Sequence, residues 1–76
     1  MKLEPGAAVR TARQSRGISL RRFAADLGVS PATLSALETG RTPITVDRLR
    51  RMAELLELPV EMLLRGESPT PTTVSG

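Results

Sequence analysis

The side chains through which this chain could do chemistry are cations and hydroxyls. Eleven lysines and arginines stand against eight acids, with no cysteine and no histidine. Zinc binding, thiolate nucleophiles and imidazole acid–base catalysis are thereby excluded. No Gly-rich phosphate loop or metal-ligand cluster replaces them, so neither an enzyme nor a metal or other cofactor is expected. What remains is the recognition of an anion. Arg21 and Arg22 directly follow Ser19-Leu20, at a helix start where the macrodipole favours acids over bases. Beside the free N–H groups of that helix end they make a phosphate site; the competing reading is two indifferent surface charges. Arg22 carries the stronger argument, because it holds the N3 position where Glu would complete a capping box.

The element that must position these groups is Ser19–Gly40, SLRRFAADLGVSPATLSALETG. Leu20, Phe23, Ala24 and Leu27 recur at helical spacing, and Gly28 ends that helix. Ser30 then offers an N-cap oxygen and Pro31 suits the first helical position. Leu34 and Leu37 carry the second apolar stripe, closed by Gly40. Two capped helices across so short a turn predict a helix-turn-helix, a unit whose usual work is DNA binding. In that motif the start of the second helix faces the groove, which here presents Ser30, Pro31, Ala32 and Thr33, then Ser35 and Ala36. No Arg, Lys, Gln or Asn is among them to bond a base bidentately. Hydroxyls and methyls should discriminate weakly and lean on phosphate contacts, DNA shape and dimer spacing. For Ser30 and Pro31 the capping role alone is a sufficient explanation.

Supporting helices are predicted on both sides. Pro5 and Gly6 open a first helix reaching about Arg16, with Val9 and Ala12 inward and Gly17 ending it. Arg10, Arg13 and Arg16 share roughly one side of it; for Arg10 and Arg16 a solvated face is an equal reading. A fourth helix follows from Thr45, its apolar positions Val46, Leu49, Met52, Ala53 and Leu56 at helical spacing. Leu58-Pro59 breaks it, and Val60 to Leu64 forms a short fifth. Ile18-Ser19, Val29-Ser30 and Ile44-Thr45 each precede an apolar N4 residue, the pattern of the hydrophobic staple. Leu55, Leu58, Met62, Leu63 and Leu64 are then left to place, either in the core or on a dimer or domain surface.

The expected fold class is therefore all-α, a compact five-helix bundle containing the helix-turn-helix as helices 2 and 3. The domain is assigned to residues 1–66, with residues 1–4 a loose arm and 67–76 a disordered tail or linker rich in Pro, Ser and Thr. A chain of 76 residues allows a single small core. Residues 1–41 carry seven basic and three acidic side chains, residues 42–76 four and five. The positive excess thus lies with the helix-turn-helix, which suits a polyanion. Phe23, the single aromatic, argues against stacking on unpaired bases. No membrane-spanning run or signal-peptide core is evident, so the expected location is the cytoplasm or nucleoid.

Residues 6–64 resemble the lambda-repressor/Cro-like, or XRE, helix-turn-helix family. The resemblance rests on Arg13…Arg16-Gly17-Ile18-Ser19-Leu20, Ala24…Leu27-Gly28-Val29-Ser30 and Leu34-Ser35…Leu37-Glu38-Thr39-Gly40-Arg41, continuing through Leu49…Met52-Ala53…Leu56 and Pro59…Leu63-Leu64. It implies a five-helix bundle in a bacterial or phage transcription regulator that binds double-stranded DNA as a homodimer. It also implies that Arg13 and Glu38 form a structural ion pair. Ser19, Leu20 and Arg41 would approach phosphates, while Pro31, Ala32, Thr33 and Ala36 would face bases. Helix 2 of the family often has an acid where Arg22 stands, which strengthens the phosphate reading. The competing function is a protein-interaction module, antitoxin-like or an adaptor, using the C-terminal leucines toward another domain or protein.

Overall fold

Each helix begins and ends through local chemistry, and that chemistry sets the angles between them. The computed structural model describes residues 4–66, so the arm before Glu4 and the tail 67–76 lie outside the described residues. Helix α1 spans Pro5–Ser15, α2 Leu20–Leu27, α3 Pro31–Glu38, α4 Val46–Leu56 and α5 Val60–Leu64, with no strand among the described residues. Three starts are capped alike. The Ser19 hydroxyl accepts from the Arg22 N–H at 3.1 Å, Ser30 from Thr33 at 3.1 Å and Thr45 from Arg48 at 3.2 Å. A cap of this kind is worth about 1 kcal/mol. The residues just before these caps, Ile18, Val29 and Ile44, pack against the core, and Phe23, Leu34 and Leu49 are buried within it.

The turn between α2 and α3 shows how one residue serves two helices. Gly28 sits at φ 79°, its N–H donating to the Ala25 carbonyl at 3.1 Å and that of Val29 to Ala24 at 3.0 Å. This closes the last turn of α2 in a Schellman arrangement. Val29 is then both the apolar residue that follows a Schellman turn and the one that precedes the α3 cap. Helix α4 closes the same way, with the N–H of Glu57 on Glu54 at 3.1 Å and that of Leu58 on Ala53 at 2.9 Å. Here the left-handed residue is Glu57 at φ 58°, a side chain that gives no composition signal for that conformation.

The core is built from Val9, Phe23, Leu34, Leu37, Met52, Leu56 and Leu63 as its largest fully buried side chains. Helix α1 runs against α3, α4 and α5, while α2 lies on α3 and α4. Leucines left over by the sequence reading mostly join this core: Leu63 is fully buried, and Leu55 and Leu58 pack against it half-buried. Val46 departs from the expected pattern, and Leu64 falls on the surface side of the two places left open for it. Val46, placed on the apolar stripe of the fourth helix, is 55% exposed, and Leu64 is 50% exposed. Val46 is the first residue of α4, one turn before Leu49, where burial begins. No helix among the described residues is long and apolar enough to cross a membrane.

Gly6 is a packing residue as well as part of a helix start. A Cβ there would collide with the Leu37 carbonyl oxygen and come within 2.9 Å of the Glu38 carbonyl oxygen. Both are backbone atoms and cannot rotate away, so α1 and α3 must separate to admit a methyl group. Gly6→Ala is expected to lower stability by about 1–3 kcal/mol, despite the better helix propensity of Ala. Urea unfolding checks it: an unchanged or raised midpoint would show that the close approach is not required.

Candidate nucleic-acid interface

A buried ion pair holds the interface in shape. Arg13 donates from Nε to Glu38 Oε2 at 2.8 Å and from Nη2 to Oε1 at 3.1 Å, and from Nη1 to the Ile18 carbonyl at 2.7 Å. Its side chain is 8% exposed and that of Glu38 3%. One guanidinium thus ties α1 to the end of α3 and to the residue that leads into the α2 cap. Two-point geometry of this kind fixes orientation as well as distance. Because each charge is satisfied internally, Glu38 does not add negative potential to the surface outside it.

At the start of α2 the backbone is left open for an anion. The Phe23 N–H enters the helical ladder on the Ser19 carbonyl at 3.0 Å and the Arg22 N–H is held by the Ser19 hydroxyl. The N–H groups of Leu20 and Arg21 have no partner among the described residues, as helix ends require. The Ser19 hydroxyl accepts in its cap and keeps its own proton to donate. Arg21 and Arg22 are exposed, and neither guanidinium has a partner among the described residues. Oriented N–H groups and mobile cations therefore coincide at one helix end.

Helix α3 begins across the turn from the opposite end of α2, and its first turn is open. Pro31 and Ala32 are exposed, whereas Thr33, Ser35 and Ala36 are half-buried. Ser30 is committed at both ends: its oxygen accepts from the Thr33 N–H, and its proton goes to Thr33 Oγ1 at 2.9 Å. Of these two hydroxyls, the one whose proton is left for an outside acceptor is that of Thr33. Leu20 of α2 lines one pocket with Arg10 and Arg13 of α1, Ser35 and Glu38 of α3 and Thr39 just beyond it, which puts the open end of α2 beside the C-terminal half of α3, at its seam with α1. Beyond α3 the chain is held close, with the Arg41 and Thr42 N–H groups both donating to the Ala36 carbonyl, at 3.0 and 3.2 Å. The Arg41 side chain is exposed from this fixed loop, without a partner among the described residues.

Two features of this surface were not singled out from sequence. Thr39, whose hydroxyl donates to the Ser35 carbonyl at 2.9 Å, lines the same pocket as Leu20, and so does Arg10. The signal was present in the Arg13–Glu38 pair, since joining those residues brings Arg10, one turn along α1, beside Ser35 and Thr39. Also near the C-terminal end of α3, the exposed Val46 and Leu64 both border an apolar groove with Pro5, Leu37 and Ile44.

With this geometry in view, comparison with known proteins is informative. A helix-turn-helix family model matches residues 9–63. No curated protein matches the chain in sequence. Among solved structures, the clp gene regulator ClgR from C. glutamicum is 36% identical with a TM-score of 0.76, over 80% of this chain and 79% of that one. The chain spans 65% of a second, longer ClgR structure. SinR of Bacillus subtilis, the master regulator for biofilm formation, in complex with DNA, is 28% identical with a TM-score of 0.71, over 79% of this chain and 97% of that one. The DNA-binding domain of the P22 C2 repressor shares the fold, with a TM-score of 0.79 at 23% identity over 87% of each chain.

Proposed function

This chain belongs to the helix-turn-helix family, in its lambda-repressor/Cro-like or XRE branch, and we propose that it is a transcription regulator binding duplex DNA through the major groove. The observation that carries the reading is the pocket at which Leu20, in the open N-terminus of α2, comes beside Ser35 and Thr39 at the C-terminal half of α3. A duplex that receives α3 in its major groove then brings a backbone phosphate to that N-terminus. In this reading Ser19, Leu20, Arg21, Arg22 and Arg41 hold phosphates, and Pro31, Ala32, Thr33, Ser35 and Ala36 face bases. Ser30 acts by shaping the turn and orienting the Thr33 hydroxyl. Arg13 and Glu38 keep α1 and α3 in register behind the contact surface and do not read DNA. No step of this work requires chemistry on a substrate, and the chain is read as a non-enzymatic binder.

The reading includes a homodimer on DNA. Val46 and Leu64 lie at one apolar groove, the feature that also favours the competing view of a protein-interaction module. A second copy is the occupant we adopt, because two-fold paired domains meet two-fold paired half-sites. Selecting bound sites from random duplex DNA tests the proposal. Palindromic sites with half-sites about 34–36 Å apart, or a multiple of that, are expected. Recovery of no common site, together with capture of a protein through Val46 and Leu64, would favour the interaction module. Bound in a nucleoid, such a protein would work in the cytoplasm.

A further inference from the structure

The pocket between α1 and α3 holds a cation that the function described so far leaves idle. Its lining is Arg10, Arg13, Leu20, Ser35, Glu38 and Thr39. At its base the Arg13–Glu38 pair is neutral overall and more than nine-tenths buried. Arg13 donates three of its five N–H groups, to Glu38 twice and to Ile18, so it retains donors for another acceptor. Arg10 is exposed, and its guanidinium has no hydrogen bond or ion pair among the described residues. The Ser35 hydroxyl is likewise without one. The pocket thus combines one uncompensated positive charge with hydroxyl and guanidinium donors, and its wall includes the first residue of α2.

We propose that Arg10 is a further DNA-phosphate ligand, extending the grip of the α2 N-terminus across the seam onto α1. The inference rests on the DNA-binding reading and adds to it a contact from a helix outside the helix-turn-helix. A phosphate held near the free N–H groups of Leu20 and Arg21 lies at the wall of this pocket, where Arg10 supplies charge. Such a contact carries no base information and positions the duplex.

The test compares Arg10→Ala, Arg10→Lys and Arg50→Ala with the unmodified chain, by fluorescence anisotropy on one duplex across a salt series. Arg50 serves as the control, an exposed arginine bordering a different pocket with Ala53, Glu54, Leu58 and Val60. Arg10→Ala is expected to make the log–log salt slope shallower by about 0.9 and to weaken binding about five- to tenfold at 0.1 M salt. Arg10→Lys should keep the slope, and thermal melting should stay unchanged in all three, because both positions are exposed. If Arg10→Ala matches Arg50→Ala in slope and affinity while the unmodified chain binds, Arg10 is a solvated surface charge and the proposal is wrong. If the unmodified chain binds no duplex, the DNA-binding reading fails and this inference falls with it.

Discussion

Glu38→Ala is expected to cost about 3–5 kcal/mol of stability, because it strands the Arg13 guanidinium in the interior. Glu38 supplies both acceptors for Nε and Nη2, at 2.8 and 3.1 Å, and with only 8% of its side chain exposed Arg13 finds little water to replace them. Domains of this length hold roughly 4–11 kcal/mol in all, so the variant should sit near the edge of folding at room temperature. The penalty belongs to the unpaired charge and is not a measure of the pair's net worth. Replacing both partners, as Arg13→Met with Glu38→Leu, should therefore recover much of the loss. Thermal melting by circular dichroism on the single and double variants decides the matter. A single variant melting within about 1 kcal/mol of the parent would show that the pair is not the tie between α1 and α3.

What could be read from the sequence was what local chemistry determines. Ser19, Ser30 and Thr45 were identifiable as caps because a cap needs only a hydroxyl and the N–H three residues on. Gly28 was identifiable as a helix end because a left-handed residue without a Cβ is the usual solution. Glu57 was not, since its left-handed backbone carries no such mark and the stop had to be inferred from Pro59. Gly6 reads from sequence only as part of a helix start, because the neighbours that require it, the Leu37 and Glu38 carbonyls, are far away in sequence. Val46 shows the limit of periodicity, which assigns a face but not how far along a helix the neighbours extend. On the candidate site, sequence pointed to the arginines, but the adjacency of Arg10 to Leu20 and Thr39 needed the packing of three helices. Ser30 reads from sequence as both cap and contact; the structure shows the cap, with its proton given to Thr33.

The second large effect is expected at the phosphate grip. Arg21 and Arg22 are exposed and without partners among the described residues, so their replacement by Ala should leave the fold intact. Removing the wrong-signed charges from the α2 N-terminus should even favour the helix slightly. Binding should respond in the opposite direction. Two charge-assisted contacts at about 1.4 kcal/mol each correspond to roughly a hundredfold weaker binding at low salt. If both arginines hold phosphates, as proposed, the loss should be nearly the same on a selected site and on a scrambled duplex.

In the proposed function this domain holds duplex DNA chiefly by the DNA backbone, from the start of α2. This is tested most directly by measuring affinity for one duplex from low to high salt, for the unmodified chain and the Arg21→Ala/Arg22→Ala double variant side by side. The predicted result is a steep linear fall of log affinity with log salt for the unmodified chain, and a slope shallower by about 1.8 in the double variant. Equal slopes and equal affinities for the two proteins, or no binding by the unmodified chain at low salt, would contradict it.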